Sequence, residues 1–311
     1  MYELKRYTPE FINEWNSFVE KAKNGTFLLN RNFMDYHSCR FQDNSFLFYR
    51  KEKLCALLPA NRVSNVLYSH QGLTHGGFIM SPEIRTIDVM AGFELLNEKL
   101  RGDGFTKVIY KPMPYIYHQI PAQEDLYALF RNNPQIVERN ISSTIYQKNK
   151  SGFIKMRRVA VHNAINNKIE VCESENYAGF WGILVENLKE RHGVRPVHSS
   201  EEISLLHSRF PDNIKLYLAC RDNDILGGVV VFITKQVVHA QYCSANLIGK
   251  ELGALDLLFD YLINVKYVNI PIFDFGQSTE KKGQYLNEGL IFQKEGFGAR
   301  GIVYDVYEYS L

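Results

Sequence analysis

The amino-acid sequence predicts a mixed α/β (α+β) protein in which one module occurs twice, each with a central mixed sheet flanked by helices. The first observation is a repeated phrase, HSCRFQDN starting at His37 and HSRFPDN starting at His207. The second is that the same predicted elements surround both copies in the same order. The third is the length, because 311 residues accommodate two domains of average size.

Each module is predicted to begin with helices and a hairpin. Amphipathic patterns cover residues 9–22 and 177–191, and each copy of the phrase ends a second short helix with an Asp-Asn turn signal. Two apolar strands then flank a charged turn in each half, as FLFYR-KEK-LCALLPA and LYLACR-DND-ILGGVVV. Charged residues between two apolar runs indicate a solvated hairpin turn.

The later elements also correspond. A third strand, NVLYSH or VVHAQYCSA, precedes a helix near residues 84–100 or 251–265, and the next strand is TKVIYKP or PIFDFGQ. Each half then closes with a short helix and a long strand. The order αα–βββ–α–β–α–β therefore occurs twice, which predicts tandem duplication. The alternative is two unrelated α/β domains whose element order agrees by coincidence.

Composition argues against several classes of protein. Hydrophobic content is 45%, charged content is 23% and the formal charge is +2, so no specific DNA binding is expected. The longest apolar run, ILGGVVVFI, is too short to cross a bilayer, and the N-terminus lacks the apolar core of a signal peptide. A cytoplasmic chain without a membrane span is expected. The five cysteines lack metal-ligand spacing and are expected to be buried, and nothing completes a ligand set with His70 and His75, so no metal is expected.

The stretch from Tyr242 to Arg300 carries a resemblance to a known family. It combines a tyrosine at the end of the third strand, a glycine-containing loop that opens a helix, and the motifs FDFG and FQKEGFG. With the repeated order of elements, it resembles the tandem-GNAT acyltransferases of FemAB-like or BioF-like type, GNAT family N-acetyltransferases related to the Fem-type peptidyltransferases. The resemblance covers nearly the whole chain and implies two tandem GNAT (acyl-CoA N-acyltransferase) folds.

The resemblance also implies a function. The chain is expected to be an N-acyltransferase that moves an acyl group from acetyl-CoA or another acyl-CoA to the amine of an envelope-related small molecule. Two alternatives stay open: an aminoacyl-tRNA-dependent Fem-type transferase and a non-catalytic tandem-GNAT binding scaffold. Residues 1–147 are expected to form an N-terminal acceptor platform with a degenerate donor site. Residues 148–311 are expected to form the C-terminal donor domain, of which residues 300–311 can complete the N-terminal sheet.

The donor is expected at the loop SANLIGKELGALD of the second module. Acyl-CoA enzymes of this fold hold the pyrophosphate on backbone N–H groups at the N-terminus of the crossover helix. The resemblance therefore implies donor-binding roles for Asn246, Gly249, Lys250 and Gly253. Leu255 replaces the final small residue of the usual Q/R-x-x-G-x-G/A pattern, which leaves an aminoacyl-tRNA donor open.

Three residues of the second module are catalytic candidates. Lys294 in FQKEGFG matches a Fem-type lysine that contacts the donor phosphate or stabilises the oxyanion, and a solvated helix lysine is the alternative. Tyr242 could donate a hydrogen bond or act as a general acid, or it could simply pack as a strand aromatic. Asp274 in IFDFG could be a general base, or it could cap the following turn and orient its neighbours.

Two further features are candidate binding determinants. Arg191 looks like the arginine of the family's RxGF corner and is expected to bind an anionic part of the acceptor, with capping of the helix C-terminus as the alternative. The segment KNKSGFIKMRR, residues 148–158, has five basic residues and no acidic one. It could steer a phosphate-bearing donor or tRNA, or be a solvated face. His37 and His207 lie in the repeated phrase, and a structural role is expected for both.

Overall fold

The chain folds into two compact units in the computed structural model, which describes the backbone throughout and the side chains of residues 1–190 and 193–311. Unit 1 comprises Met1–Asn140, Lys281–Gln284 and Val303–Leu311, and unit 2 comprises Ile141–Glu280 and Tyr285–Ile302. Each unit has a hydrophobic core of its own.

Unit 1 contains two sheets with helices packed on them. Its elements in chain order are β1 (Tyr2–Arg6), α1 (Ile12–Lys21), α2 (Arg31–Met34), β2 (Gln42–Asp43), β3 (Phe46–Arg50), β4 (Lys53–Leu58), β5 (Asn61–Val63), β6 (Val66–Tyr68), β7 (Ile79–Met80), α3 (Thr86–Gly102), β8 (Lys107–Tyr110), α4 (Glu124–Phe130) and the start of β9 (Gln135–Tyr146). Strands β1, β3, β4 and β7 pair antiparallel in that order. The second sheet runs β2, β5, β6 and β8, and its β6 and β8 are parallel. Phe93 of α3 stacks on Phe78 within the core of this unit.

Unit 2 is built around one mixed sheet. Its elements in chain order are α5 (Lys155–Asn166), β10 (Glu170–Ser174), α6 (Tyr177–His192), α7 (Ser200–Arg209), β11 (Ile214–Arg221), β12 (Asp224–Ile233), β13 (Val237–Ala245), α8 (Leu247–Leu252), α9 (Ala254–Tyr261), β14 (Ile272–Gln277), β15 (Thr279–Glu280), β16 (Tyr285–Leu286), α10 (Glu288–Gly296) and the start of β17 (Arg300–Ser310). Strands β10 to β13 are antiparallel neighbours, and β13 and β14 are parallel.

The two faces of the unit 2 sheet are covered by different helices. Val229, Val238 and Phe273 point to the face where α9 packs, and Phe297 joins that cluster from the turn after α10. The opposite face carries α6, whose Phe180 packs so closely that a Cβ added to Gly228 would lie 2.6 Å from its ring. Both faces are buried, which explains why the central strand β12 reads as a continuous apolar run.

The two long closing strands each run from one unit into the other. Residues Ile145 and Tyr146 of β9 pair antiparallel with β14 inside unit 2. Residues Tyr307 to Ser310 of β17 pair antiparallel with β8 inside unit 1.

The hairpins of the two units use the same turn. Lys51 and Glu52 both have positive φ, at 48° and 65°, and so do Asp222 and Asn223, at 52° and 72°. Two successive residues of positive φ are typical of the type I′ turn that matches the twist of paired strands. Each hairpin also shifts register near its turn, between Phe48 and Tyr49 and between Ala219 and Cys220. This agreement supports the duplication that the sequence predicts.

The third strand differs between the units. In unit 2 it is one continuous strand, β13, as the sequence predicts. In unit 1 the stretch NVLYSH forms β6, which pairs with β5 and β8, whereas β4 pairs with β7 further along the chain. The predicted strand in NVLYSH is therefore present in unit 1, but it belongs to a different sheet from the hairpin. Pro59 follows the last residue of β4 and cannot donate to a ladder, so the chain leaves that sheet there.

Two other expectations concern composition. Cys39, Cys172 and Cys243 are exposed, so the expected burial is wrong for these three, and all five cysteines are free. Among the residues described, no helix combines the length and the apolar character needed to cross a bilayer.

Removal of residues 303–311 is expected to destabilise unit 1. The deletion takes away the partner strand of β8 and the buried Tyr309, whose hydroxyl donates to Asn97 at 2.8 Å. Loss of a buried aromatic side chain alone costs about 3–5 kcal/mol. Urea unfolding should report the loss, and hydrogen exchange should show loss of protection at the β8 amides that bond to β17, whereas those that bond to β6 keep a partner. Val303→Ala, at an exposed position, is the control. A truncated chain in which the amides that bond to β17 stay protected would contradict the assignment.

Candidate functional site

The candidate site lies where β13 and β14 separate in unit 2. The two strands pair only at Val237–Ile272, Val238–Phe273 and His239–Asp274. Beyond His239, β13 continues along β12 to Ala245, whereas β14 continues along β9. The facing edges of both strands therefore have no ladder partner past this point, and a ligand can pair with them.

Asp274 lies at the start of this separation with no exposed surface. Its Oδ1 accepts hydrogen bonds from Ser142 Oγ at 2.6 Å and from the Gly276 N–H at 3.1 Å. Its Oδ2 lies 2.8 Å from His239 Nδ1. The carboxylate is therefore enclosed by donors and cannot itself reach a substrate, so the geometry matches the orienting role rather than that of a general base.

His239 is a member of the site that the sequence interpretation missed. It is the last residue of β13 that pairs with β14, directly opposite Asp274. Its side chain is 16% exposed, in contrast to that of Asp274. The available signal was the parallel pairing of VVHAQYC with IFDFGQ, which sets a histidine beside an aspartate once the register is known.

Lys294 lies on α10, which begins at the cap residue Asn287, whose side chain accepts from the Leu290 N–H. The Lys294 side chain is 7% exposed, and Nζ donates to the carbonyls of Gly276 at 2.9 Å and Gln277 at 2.7 Å. Burial lowers the pKa of Lys294 to about 8, although the charges of Cys243 and Asp274 act in the opposite direction. A buried ammonium beside a strand opening is suited to stabilise a developing anion.

Gly276 connects these side chains. Its N–H donates to Asp274, its carbonyl accepts from Lys294, and a Cβ placed on it would lie 3.1 Å from His239 Cε1. Its φ is +77°, a backbone conformation that favours glycine. Gly276 thus forms hydrogen bonds with the carboxylate and the ammonium, and it lies beside the imidazole.

Tyr242 follows the register shift in β13 and packs against α6, where its ring meets that of Trp181 at 5.2 Å. Its hydroxyl is 2.6 Å from His198 Nδ1, and burial raises the pKa of Tyr242 to about 12, so the phenol stays protonated at neutral pH. Cys243, the next residue, lies near Lys294. Since adjacent strand residues point to opposite faces, Tyr242 faces α6 rather than Lys294.

The residues of the predicted donor loop make close contacts inside unit 2. Asn246 caps α8 by accepting from the Gly249 N–H at 2.7 Å, and Lys250 Nζ donates to Asn187 of α6. A Cβ on Gly249 would lie 2.2 Å from the Leu226 carbonyl oxygen of β12. These residues join α8 to its neighbours.

The N-terminus of α9 is covered by α5. A Cβ on Gly253 would lie 2.4 Å from the Ala160 carbonyl oxygen of α5, and the φ of Gly253 is +83°. Asn163 of α5 donates to the Leu252 carbonyl at 3.2 Å, and Arg157 forms an ion pair with Asp256 in the first turn of α9 at 3.0 Å. The close backbone approach that Gly253 permits is therefore that of α5, and an anion there would meet a carbonyl and a carboxylate.

Two further residues that the sequence singled out are Arg191 and His207. The side chain of Arg191 lies outside the described residues. His207 caps a structural turn, because its Nδ1 contacts the Ile214 carbonyl at 2.8 Å. Among the residues with described side chains, no group of three or more His, Cys, Asp or Glu could hold a metal ion.

Gly253→Ala is expected to destabilise the protein by about 2 kcal/mol or more, because the added methyl meets the α5 backbone at a positive φ. Gly182→Ala is the matched control, since this α6 position has no atom within 4 Å of the new Cβ and alanine favours helix. Thermal unfolding of both variants measures the difference. Equal stability of the two variants would contradict the close packing of α5.

Lys294→Met is expected to remove a pH dependence of stability. The folded pKa of about 8 lies below the ordinary lysine value of 10.5, so the unfolded chain binds more protons between these values. The free energy of unfolding of the wild type should therefore rise as the pH increases through this window. Urea titrations at several pH values measure it, and Lys189→Met, at an exposed position, should keep the rise. The same rise in Lys294→Met would contradict the burial of the ammonium.

Several solved structures share the fold of this chain. No protein-family model and no curated protein matches the chain. Among solved structures, FemX has a TM-score of 0.69 at 11% identity, over 99% of this chain and 97% of that one. L-PGS from Bacillus licheniformis has a TM-score of 0.64 at 12% identity, over 98% and 92%. The C-terminal domain of a putative lysylphosphatidylglycerol synthetase from Agrobacterium fabrum has 0.60 at 12% identity, over 96% and 91%. The likeness confirms the mixed α/β fold that the sequence predicts, and the chain shares this fold with FemX.

Proposed function

We propose that the chain is an acyltransferase that moves an activated acyl group onto an amine in the opening between β13 and β14. The observation that carries the proposal is the convergence of Lys294, His239 and Asp274 on Gly276, where the two strands part. The shared fold supports it, because one similar structure is a domain of a putative lysylphosphatidylglycerol synthetase, a name that denotes attachment of a lysyl group.

The proposed chemistry uses orientation and charge rather than a covalent enzyme intermediate. The unpaired edge of β13 would hold the acyl donor in extended form, with its carbonyl near Lys294. Attack by the acceptor amine produces a tetrahedral oxyanion, which a fixed ammonium in a dry site stabilises strongly. Holding both reactants in contact supplies much of the remaining rate enhancement.

The identity of the donor is a finer proposal, and we favour an aminoacyl ester on tRNA over acyl-CoA. Helix α5 covers the N-terminus of α9, the position at which acyl-CoA enzymes of this fold hold the pyrophosphate. The basic segment, residues 148–158, ends in the first turn of α5. Its residues Lys148, Lys155 and Arg158 are exposed. Such residues attract a polyphosphate chain through counterion release.

The acceptor platform is proposed in residues 1–147, as the resemblance implies. Unit 1 contains a cavity of about 360 Å³. Charged side chains of both signs border this cavity, namely Glu14, Lys21, Lys53 and Glu83. A zwitterionic, amine-bearing molecule related to the cell envelope fits such a lining better than a purely anionic one.

Two assays separate the donor candidates. Transfer of a radiolabelled aminoacyl group from a bulk aminoacyl-tRNA pool to hydroxylamine or to a lysine-containing peptide is expected. Lys294→Ala should reduce it by about 10²–10³-fold through loss of oxyanion stabilisation, whereas Lys189→Ala should not. Calorimetry with acetyl-CoA is expected to give no binding. Binding of acetyl-CoA together with acetyl transfer would show that the donor is acyl-CoA instead. If neither donor supports transfer, the non-catalytic binding scaffold becomes the favoured function.

The basic segment gives an independent measurement. Lys155→Glu combined with Arg158→Glu is expected to weaken aminoacyl-tRNA transfer at low salt and to flatten its salt dependence, because phosphate contacts are lost. Lys168→Glu, a single reversal in the same unit, should have a much smaller effect. An unchanged salt dependence in the double variant would contradict steering by this segment.

A further inference from the structure

We propose that His239 is the general base of this transfer and that Asp274 is the positioning residue that fixes its ring. The inference rests on the proposed function, since it concerns the amine that attacks the acyl group. It follows from the geometry at the point where β13 and β14 separate.

The hydrogen bonds determine which ring nitrogen of His239 can accept a proton. Asp274 is fully buried and already accepts from Ser142 Oγ and from the Gly276 N–H, so it is held as an acceptor. The contact of 2.8 Å between its Oδ2 and His239 Nδ1 therefore places the proton on Nδ1. In the neutral ring, Nε2 then carries the lone pair.

Nε2 faces the proposed reaction space. It makes no hydrogen bond to the described residues, while the side chain keeps 16% of its surface exposed. A Cβ on Gly276 would lie 3.1 Å from His239 Cε1 and 3.7 Å from Nε2, so this edge of the ring points to the turn that also binds Lys294. The base and the oxyanion-stabilising ammonium thus border the same opening.

The charged and titratable groups around the ring differ in sign. From β14, the Asp274 carboxylate contacts the ring at Nδ1. From α10, Lys294 lies at the Gly276 carbonyl, and from β13 the Cys243 thiol lies near Lys294. From β9, Ser142 contributes a neutral hydroxyl to Asp274. The carboxylate is thus the charged group in direct contact with the ring, and it fixes the orientation of the ring.

The proton and electron count closes without any further reactant. The acceptor reacts as the free amine, after an alkylammonium has released one proton to the solvent. As the nitrogen forms its bond to the acyl carbon, His239 Nε2 takes the second proton that the nitrogen loses. The tetrahedral oxyanion then collapses and breaks the bond from the acyl carbon to the leaving oxygen of the ester. The imidazolium returns the proton to that oxygen, which leaves as a hydroxyl group and restores neutral His239.

The test compares His239→Gln with wild type on two acceptors. With an alkylamine peptide, kcat should fall by about 10²–10³-fold, and the dependence of kcat on pH at the acid side should disappear. With hydroxylamine, the loss should be much smaller, because its less basic nitrogen forms a more acidic adduct that gives up its proton to water. A merely structural role would reduce both rates equally. His207→Gln is the control, because that histidine serves a turn outside the site.

Asp274→Asn tests the positioning role. It should lower kcat for the alkylamine with little change in KM and shift the acid limb of the pH profile, and Ser142→Ala should do so more weakly. If the wild type transfers the acyl group and His239→Gln transfers it equally well, His239 is not the general base, but the proposed acyltransferase function stands. Absence of transfer by the wild type would instead overturn the proposed function. A misfolded Asp274→Asn would still leave the His239→Gln comparison to decide.

Discussion

The site in unit 2 depends on the separation of β14 from β13, while β14 stays paired with β9. This strand pairs with β13 over three residues only and then continues beside β9 alone. A backbone edge in the interior of a fold must be satisfied or must face a ligand. The separation therefore leaves strand edges unpaired at the candidate site, and Gly276 adopts a positive φ there.

The same turn explains why buried polar groups are stable there. A buried carboxylate and a buried ammonium are each costly unless they are hydrogen-bonded. Asp274 has three partners, and Lys294 has two backbone carbonyls. The groups are oriented before any substrate arrives, which is the preorganisation that catalysis by electrostatics requires.

The sequence alone predicted most of the elements of unit 2, since its apolar periodicity and turn residues are strong. It also singled out Asp274 and Lys294, which the structure places around Gly276. It could not reveal His239, because the relation between β13 and β14 depends on parallel register across a long crossover. Nor could it reveal that α5 packs on Gly253: a glycine before a helix looks the same whether an anion or a carbonyl approaches it. The sequence also could not predict that β4 pairs with β7 while β6 pairs with β8, because such short strands carry little periodic signal.

The closing strands have a consequence for biosynthesis. During translation, the first 140 residues emerge long before residues 307–310, which are the neighbours of β8. Until the ribosome reaches them, that sheet has an open edge able to pair with other chains. Nascent unit 1 can therefore complete this sheet only after residues 307–310 are synthesised, and the β8 edge is exposed to aggregation in this interval.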